Sequence, residues 1–109
     1  MAAEPQVRVV LLTAPDADTA ERLARALVEE RLAACVNAVP GVRSFYRWEG
    51  RVEDADELLL VVKTRADRTA ALAARVRELH PYELPEVLEL AAEGGSAAYL
   101  DWVRKESSR

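Results

Sequence analysis

The spacing of apolar and polar residues predicts four β-strands. Val7–Thr13 and Leu58–Val62 are short apolar runs rich in β-branched residues and leucine, which is typical of buried strands. The segment Ala33–Trp48 predicts a long strand that bends or bulges at Pro40-Gly41, because proline has no N–H for the ladder. Pro85–Leu90 predicts a short fourth strand that starts at a proline.

Three helices are predicted by apolar residues that recur every three or four positions along one side. The first helix runs from about Asp18 to Arg31, the second ends before Pro81, and the third carries Tyr99 and Val103 on its apolar side. The expected N-caps are Asp16 or Asp18 for the first helix, with Glu21 completing a capping box after Asp18, Asp67 for the second and Ser96 for the third.

The order of these elements predicts an α+β, ferredoxin-like βαββαβ fold with an additional C-terminal helix. The length, residues 1–109, fits a single domain. Helices cover only one face of such a sheet, so its strands are expected to alternate between apolar and polar residues. The apolar runs of the first and third strands, which are central in this fold, do not alternate. We therefore expect an identical subunit to cover the second face.

The segment Val42–Val52 predicts a long hairpin with its turn at Glu49-Gly50. Phe45, Tyr46 and Trp48 lie near its tip. Aromatic residues concentrate at protein interfaces, so we expect Tyr46 and Trp48 to pack there rather than to form a ligand cage. The hairpin is then an arm that reaches a neighbouring subunit, and the alternative is a hairpin that folds onto its own sheet.

Composition excludes several classes of function. The chain has 15 Lys and Arg against 19 Asp and Glu, for a net charge of −4, without the dense basic cluster of a nucleic-acid binder. No segment reaches the ~18 consecutive apolar residues of a membrane helix. Met1–Arg8 lacks the regions of a signal peptide, and a single cysteine cannot form an internal disulfide. We expect a cytoplasmic protein that binds neither nucleic acid nor membrane.

The sequence also predicts that the protein is not an enzyme. Gly94-Gly95 is an isolated turn and not a phosphate-binding loop. A Ser-His-Asp or Cys-His arrangement would have to use His80, and no serine or cysteine lies in a nucleophile elbow. Neighbouring carboxylates such as Glu29 and Glu30 lie on the polar side of an amphipathic helix.

His80 and Cys35 are the only histidine and cysteine, and they are the candidate metal ligands. A structural zinc site needs about four ligands, so such a site requires several copies of the chain. Copper is the candidate metal for such a site, because thiolate and imidazole both suit it. The alternatives are structural. Cys35 is then a small buried residue on a strand, and His80 a helix C-cap whose ring meets the last carbonyls.

The segment His80–Glu86 is a candidate binding loop, because two prolines stiffen it and it carries polar and aromatic side chains. Lys63 lies at the end of the third strand, and we expect it at the same end of the sheet as Glu86. The alternative is that this segment is only a structured connection and that Lys63 and Glu86 form a structural ion pair.

Several short stretches, spread over nearly the whole chain, match those of a known protein family and occur in the same order. They are Thr13–Asp16, Leu32–Asn37, Val39–Gly41, Tyr46–Gly50, Lys63-Thr64, His80–Tyr82, Pro85-Glu86 and Tyr99–Trp102. Together they resemble the CutA divalent-cation tolerance family. The resemblance implies a ferredoxin-like fold in a tight homotrimer, in which hairpins extend the sheets of neighbouring subunits. It also implies a link to divalent metals, chiefly copper, and a similarity to trimeric PII-type signalling proteins.

The copper ligands described for some members of this family are mostly missing here. Those ligands are a cysteine just before the Thr-Ala-Pro-Asp stretch and two histidines before Pro-Tyr. The corresponding residues are Leu12, Leu79 and His80, and leucine cannot bind a metal, so the site cannot form as described. The resemblance leaves His80 as the copper ligand, helped across subunits by Cys35 or by glutamates of the His80–Glu86 segment.

Two functions follow from the residues and the resemblance together. The first is a trimeric divalent-cation tolerance or metal-ion response protein that binds Cu(II) or another divalent cation through His80. The alternative is a PII-like signalling or interaction module that binds a small ligand or a protein at inter-subunit clefts. The residues expected to line the cleft are Tyr46, Trp48, Lys63, Tyr82 and Glu86, with His80 beside them.

Overall fold

The computed structural model describes residues 4–109, and its elements follow the predicted order. A short 3-10 helix, Ala66–Arg68, lies before the second α-helix. The elements are β1 (Val7–Ala14), α1 (Ala17–Glu29), β2 (Cys35–Trp48), β3 (Arg51–Arg65), α2 (Thr69–Leu79), β4 (Leu88–Ala91) and α3 (Ala97–Glu106).

The four strands form one antiparallel sheet in the order β2-β3-β1-β4. The central strands are β1 and β3, as their apolar runs predicted, and Val10 lies between Val62 on β3 and Glu89 on β4. Helices α1 and α2 pack on one face of this sheet, and α3 follows the last strand. The predicted α+β, ferredoxin-like fold with a C-terminal helix is therefore confirmed.

Alternate residues of β1 and β3 face α1 and α2 and form the main core. Leu12 and Leu60 are fully buried there, together with Leu23 on α1 and Leu72 on α2. Burial of one such side chain contributes about 2 kcal/mol, so this layer supplies much of the driving force for folding. The apolar side that predicted each helix is the side that packs on the sheet.

The opposite face of the sheet is apolar and open in the protomer. Leu11 is half-buried and lies directly opposite Leu88 in the register. Leu88 and Leu90 on β4 are 53% and 47% exposed, and Leu59 on β3 is half-buried. Helix α3 covers only one end of this face, around the fully buried Val103. The central strands fail to alternate because both of their faces are apolar.

The N-cap of α1 is Asp16, whose Oδ1 accepts a hydrogen bond from Thr19 N at 2.7 Å. The helix begins at the next residue, so Asp18 lies inside its first turn. A capping box needs its first residue at the N-cap position, and the predicted box between Asp18 and Glu21 is therefore wrong. Glu21 instead forms an ion pair with Arg25 at 3.0 Å.

Asp67 does not cap α2, contrary to the prediction. It lies inside the 3-10 turn, and its carboxylate accepts two hydrogen bonds of 2.8 Å from the Arg65 guanidinium. Helix α2 begins at Thr69 without a side-chain cap, because the 3-10 turn leads directly into it. The predicted cap of α3 is confirmed, since the Ser96 hydroxyl accepts a hydrogen bond from Tyr99 N at 3.4 Å.

The hairpin of β2 and β3 is long, and the molecule measures 50 Å along its longest axis against 25 and 23 Å. The strand pairing shifts between Val39 and Val42, which confirms the bulge predicted at Pro40-Gly41. Gly41 has a φ of 77°, which glycine adopts at little cost. Both residues of the Glu49-Gly50 turn have positive φ, as a two-residue type I′ hairpin requires.

Strand β4 begins at Leu88, later than the predicted start at Pro85. The pairing between β1 and β4 ends at Leu11 and Leu88. Past Leu11, β1 contacts the loop after α2 instead. The carbonyl oxygen of Thr13 lies 2.7 Å from the ring of His80. Proline also lacks the N–H that would extend the ladder. The residues between His80 and Leu88 therefore form a loop rather than a strand.

Candidate functional site

His80 joins the end of α2 to β1 through both nitrogens of its ring. Nε2 lies 2.7 Å from the carbonyl oxygen of Thr13, and Nδ1 accepts a hydrogen bond from Tyr82 N at 3.1 Å. A carbonyl oxygen only accepts and a backbone N–H only donates, so the ring is neutral with its proton on Nε2. His80 is the C-cap residue of α2, but its buried ring bonds to β1 rather than to the last carbonyls of the helix.

Tyr82 and Glu57 form the second contact between the loop and the sheet. The Tyr82 hydroxyl donates a hydrogen bond of 2.9 Å to Oε2 of Glu57, which is only 7% exposed. Burial and then the bond to Glu57 raise the pKa of Tyr82 to about 12. Sequence reasoning missed Glu57. The signal for it was a carboxylate immediately before the apolar run Leu58–Val62.

Glu86 lines the same groove as Glu57. Burial raises the pKa of the Glu86 carboxyl, and the negative charge of Glu57 raises it further. Both effects favour the neutral form of Glu86. Burial removes water from the charged form, and the Glu57 carboxylate repels a second negative charge. The carboxyl groups of Glu57 and Glu86 therefore lie close enough for the charge of one to affect the pKa of the other.

A groove of about 640 Å³ lies between the β2–β3 hairpin and the loop after α2, and we call it the hairpin–loop groove. It is lined by Ser44–Trp48 and Tyr82–Glu86, with Thr13 and Glu57. Tyr46, Trp48 and Tyr82 are 45%, 40% and 37% exposed. The structure thus brings together four of the predicted cleft residues, namely Tyr46, Trp48, Tyr82 and Glu86.

Lys63 does not lie in this groove. It pairs in the register with Val9 on β1 and with Cys35 on β2, and its Nζ contacts Asn37 Oδ1 and lies 3.8 Å from Cys35 Sγ. Glu57 precedes it by six residues of the same strand, a separation of about 20 Å. The expectation that Lys63 lies at the same end of the sheet as Glu86 is wrong for the protomer.

The sequence profile of the CutA1 divalent ion tolerance protein family matches residues 8–106. This chain belongs to that family. Its CutA relatives include the divalent-cation tolerance protein CutA of Thermus thermophilus, which is 52% identical over 99 residues. That match covers 91% of this chain and 96% of the relative. The human protein CutA is 44% identical over 91% of this chain, which spans only 55% of the human protein.

Solved CutA structures share the fold of this chain. The divalent cation tolerance protein (Cut A1) from Thermus thermophilus aligns with a TM-score of 0.92 at 50% identity, covering 94% of this chain and 99% of that one. CutA1 from Oryza sativa aligns with a TM-score of 0.92 at 42% identity, covering 99% and 98%. Among residues 4–109, no helix is long and apolar enough to cross a membrane.

The two predicted metal ligands of this CutA-family protein lie apart in the protomer. Cys35 pairs with Lys63 near one end of the sheet, whereas His80 contacts Thr13 near the other. Leu12, which the resemblance placed at the position of a cysteine in some family members, is fully buried in the core. Within residues 4–109, no group of three or more His, Cys, Asp or Glu side chains is placed to hold a metal ion. Metal binding through His80 and Cys35 stays a prediction.

Proposed function

We propose that this CutA-family protein acts in tolerance to divalent metal ions as a homotrimer, and that it catalyses no reaction of its own. The family and the Thermus relative are both described by divalent ion or cation tolerance, which supports the link to metals. The observation that carries the assembly is the open apolar face of the sheet. An identical subunit fits it best, because closed rings of identical chains are the common way to bury such a face.

The open face extends over all four strands of the sheet. Leu88 and Leu90 are about half exposed on β4, and Val39 on β2 is 41% exposed. A contiguous apolar surface of this kind marks an interaction site. Strands β2 and β4 are also the sheet edges, with N–H and C=O groups free to pair, so a neighbour's hairpin can extend the sheet.

For the metal we propose Cu(II) at His80, with Cys35 as the second candidate ligand. Both ring nitrogens of His80 are hydrogen-bonded within the protomer, so an ion has to displace either the Thr13 carbonyl or Tyr82 N–H. Displacing Tyr82 N–H frees the Nδ1 lone pair without moving a proton, and we therefore assign the metal to Nδ1. The remaining ligands come from neighbouring subunits in this proposal.

Native mass spectrometry during a Cu(II) titration tests the trimer and the metal together. We expect the mass of three chains and saturable uptake of a single copper ion per chain. His80→Gln should abolish this uptake, while its amide can still donate to the Thr13 carbonyl. Cys35→Ser is the matched variant for the second ligand. A monomer mass contradicts the trimer, and copper uptake that His80→Gln leaves unchanged contradicts the assignment to His80.

A second function, a PII-like signalling or interaction module, is supported by the hairpin–loop groove. The groove places Tyr46, Trp48, Tyr82 and Glu86 around one concave surface, as a binding site for a small ligand or a protein segment requires. Lys63 joins this cleft only when a neighbouring subunit supplies it. Trp48→Ala should then impair ligand binding more than copper uptake in the trimer that remains, whereas His80→Gln should impair copper uptake more than ligand binding.

We place the action of the protein in the cytoplasm, which its single cysteine supports. A related plant protein is named chloroplastic, so the compartment needs its own test. Fractionation of cells that express the full chain should recover it with cytoplasmic markers. Recovery in a periplasmic or membrane fraction contradicts this placement.

A further inference from the structure

We propose that the hairpin–loop groove binds an organic ammonium ion, such as a primary amine or a polyamine, between two carboxylates and an aromatic wall. The carboxylates are Glu57 and Glu86, and the wall is formed by Tyr46, Trp48 and Tyr82. This inference rests on the proposed interaction-module function, and it names the ligand class of that site.

The first observation is a buried carboxyl group that no cation of the protomer's described residues compensates. Glu57 is 7% exposed, and its side chain has one hydrogen-bond partner among residues 4–109, the neutral hydroxyl of Tyr82. The ion pairs of this part of the chain join arginines to other carboxylates and leave out Glu57, Glu83 and Glu86. A buried carboxylate is unfavourable unless a cation compensates it, so a cation in the groove stabilises the fold.

Glu86, which lines the same groove, supports the same conclusion. Its pKa is raised by burial and by the charge of Glu57. A ligand cation placed between the two carboxylates removes the repulsion between them and lowers that pKa again. Both carboxyl groups line the same groove, so a single positive charge bound there interacts with each of them.

The aromatic wall selects the kind of cation. Tyr46, Trp48 and Tyr82 keep 37–45% of their surface exposed and all line the groove. Alkylammonium groups are attracted to aromatic faces and bring apolar methylene groups that pack on them. The volume of about 640 Å³ lies in the usual range for small-molecule sites, which is roughly 300–1,000 Å³.

A metal ion or an anion fits this groove less well. Among residues 4–109, no cluster of three His, Cys, Asp or Glu side chains is placed for metal coordination. The groove lining contains the three carboxylates Glu57, Glu83 and Glu86 against one basic residue, Arg47. This balance disfavours phosphates and other anionic ligands.

NMR titration of the full chain tests the proposal. The probes are 1,4-diaminobutane, its neutral analogue 1,4-butanediol and inorganic phosphate, at constant ionic strength. We expect the diamine to shift the backbone amide signals around Tyr46, Trp48 and Tyr82, and the diol and phosphate to leave them in place. Glu86→Gln should weaken diamine binding about tenfold. The matched control Glu93→Gln removes the same charge from an exposed site outside the groove and should not weaken it.

Three results would overturn the assignment. The diamine leaves the groove signals unshifted, or it binds Glu86→Gln as well as the unmodified chain. In the third result, no diamine binds and Glu86→Gln dissociates the oligomer in sedimentation velocity. Glu86 would then pair with a Lys or Arg of a second copy, and the groove would be part of the subunit interface. If phosphate alone shifts the groove signals, the interaction-module function stands without an amine ligand. If no probe shifts them, the amine ligand and the interaction-module function both fail. The proposal of copper binding at His80 is tested independently by the Cu(II) titration.

Discussion

The hydroxyl of Tyr82 donates a hydrogen bond to Glu57 Oε2 at 2.9 Å and so joins the loop after α2 to the start of the apolar part of β3. His80, two residues earlier, ties the same loop to β1 through Thr13, and the rings of His80 and Tyr82 lie 4.6 Å apart. The two contacts hold one wall of the hairpin–loop groove in place. Their removal should affect both stability and the groove.

Alkaline pH tests the environment of Tyr82. Its pKa of about 12 in the folded protein lies above the ordinary tyrosine value of 10.0. A raised folded pKa means that the contribution of the neutral hydroxyl to stability is fully present below about pH 10 and is lost as the pH approaches 12. Titration of phenolate absorbance should show a step near pH 12 that Tyr82→Phe removes. The control Tyr46→Phe should leave this step in place. A step near pH 12 that persists in Tyr82→Phe contradicts its assignment to Tyr82.

Removing the Tyr82 hydroxyl should destabilise the fold through Glu57. Tyr82→Phe leaves the buried carboxylate without a donor, and we expect a loss of about 1–3 kcal/mol in the free energy of unfolding. Denaturant unfolding at pH 7 measures this loss. In a double-mutant cycle with Glu57→Gln, the effect of Tyr82→Phe should shrink, because the neutral amide costs less to leave unpaired. Additive effects would show that the two side chains are not coupled.

His80 should be needed for stability whether or not it binds a metal. His80→Ala leaves the Thr13 carbonyl and Tyr82 N–H without partners at a buried site, so we expect a loss of about 1–3 kcal/mol in metal-free buffer. His80→Gln should lose less, because its amide can donate to the same carbonyl. Urea unfolding with a chelator present measures both variants. Unchanged stability of His80→Ala is the result that contradicts this structural role.

Substitution of Asp16 and of Asp18 should affect the stability of α1 differently, because only Asp16 is its N-cap. Asp16→Ala removes the acceptor for Thr19 N and should lower the melting temperature, whereas Asp18→Ala should change it less. The hydrogen bonds from Thr19 lower the pKa of Asp16. Its contribution to stability is therefore present above the unfolded pKa and is lost as the pH falls through the folded value. Equal effects of the two variants in thermal unfolding contradict Asp16 as the cap.

The open face of the sheet should control assembly. Leu88→Asp places a charge on this face and should dissociate the proposed trimer in sedimentation velocity while far-UV circular dichroism stays unchanged. Val28→Asp is a matched control, because Val28 is 42% exposed on α1, on the other side of the molecule. Trp48→Ala should weaken assembly by about 2 kcal/mol, the scale of an aromatic hot spot. A trimer that survives both Leu88→Asp and Trp48→Ala contradicts the proposed interface.

The sequence predicted the elements that depend on local pattern. The apolar sides of α1 and α2, the bulge at Pro40-Gly41 and the turn at Glu49-Gly50 all appear as expected. The caps were less predictable, because several carboxylates near a helix start compete for one role. Asp16 rather than Asp18 is the N-cap of α1, and Asp67 pairs with Arg65 instead of capping α2.

The candidate site was predicted only in part. Tyr46, Trp48, Tyr82 and Glu86 were expected in one cleft, and they do line one groove. Glu57 was not expected there, since nothing in the sequence shows that the middle of β3 lies beside a loop 25 residues later.

By itself, the sequence determined the order of strands and helices, the central position of β1 and β3 and the need to cover a second sheet face. These properties follow from side-chain periodicity, which acts along the chain. The tertiary structure decided which distant groups meet. The antiparallel register placed Lys63 beside Cys35 and away from Glu86, and it brought Glu57 to Tyr82. Such pairings depend on strand register and loop path, which local pattern does not encode.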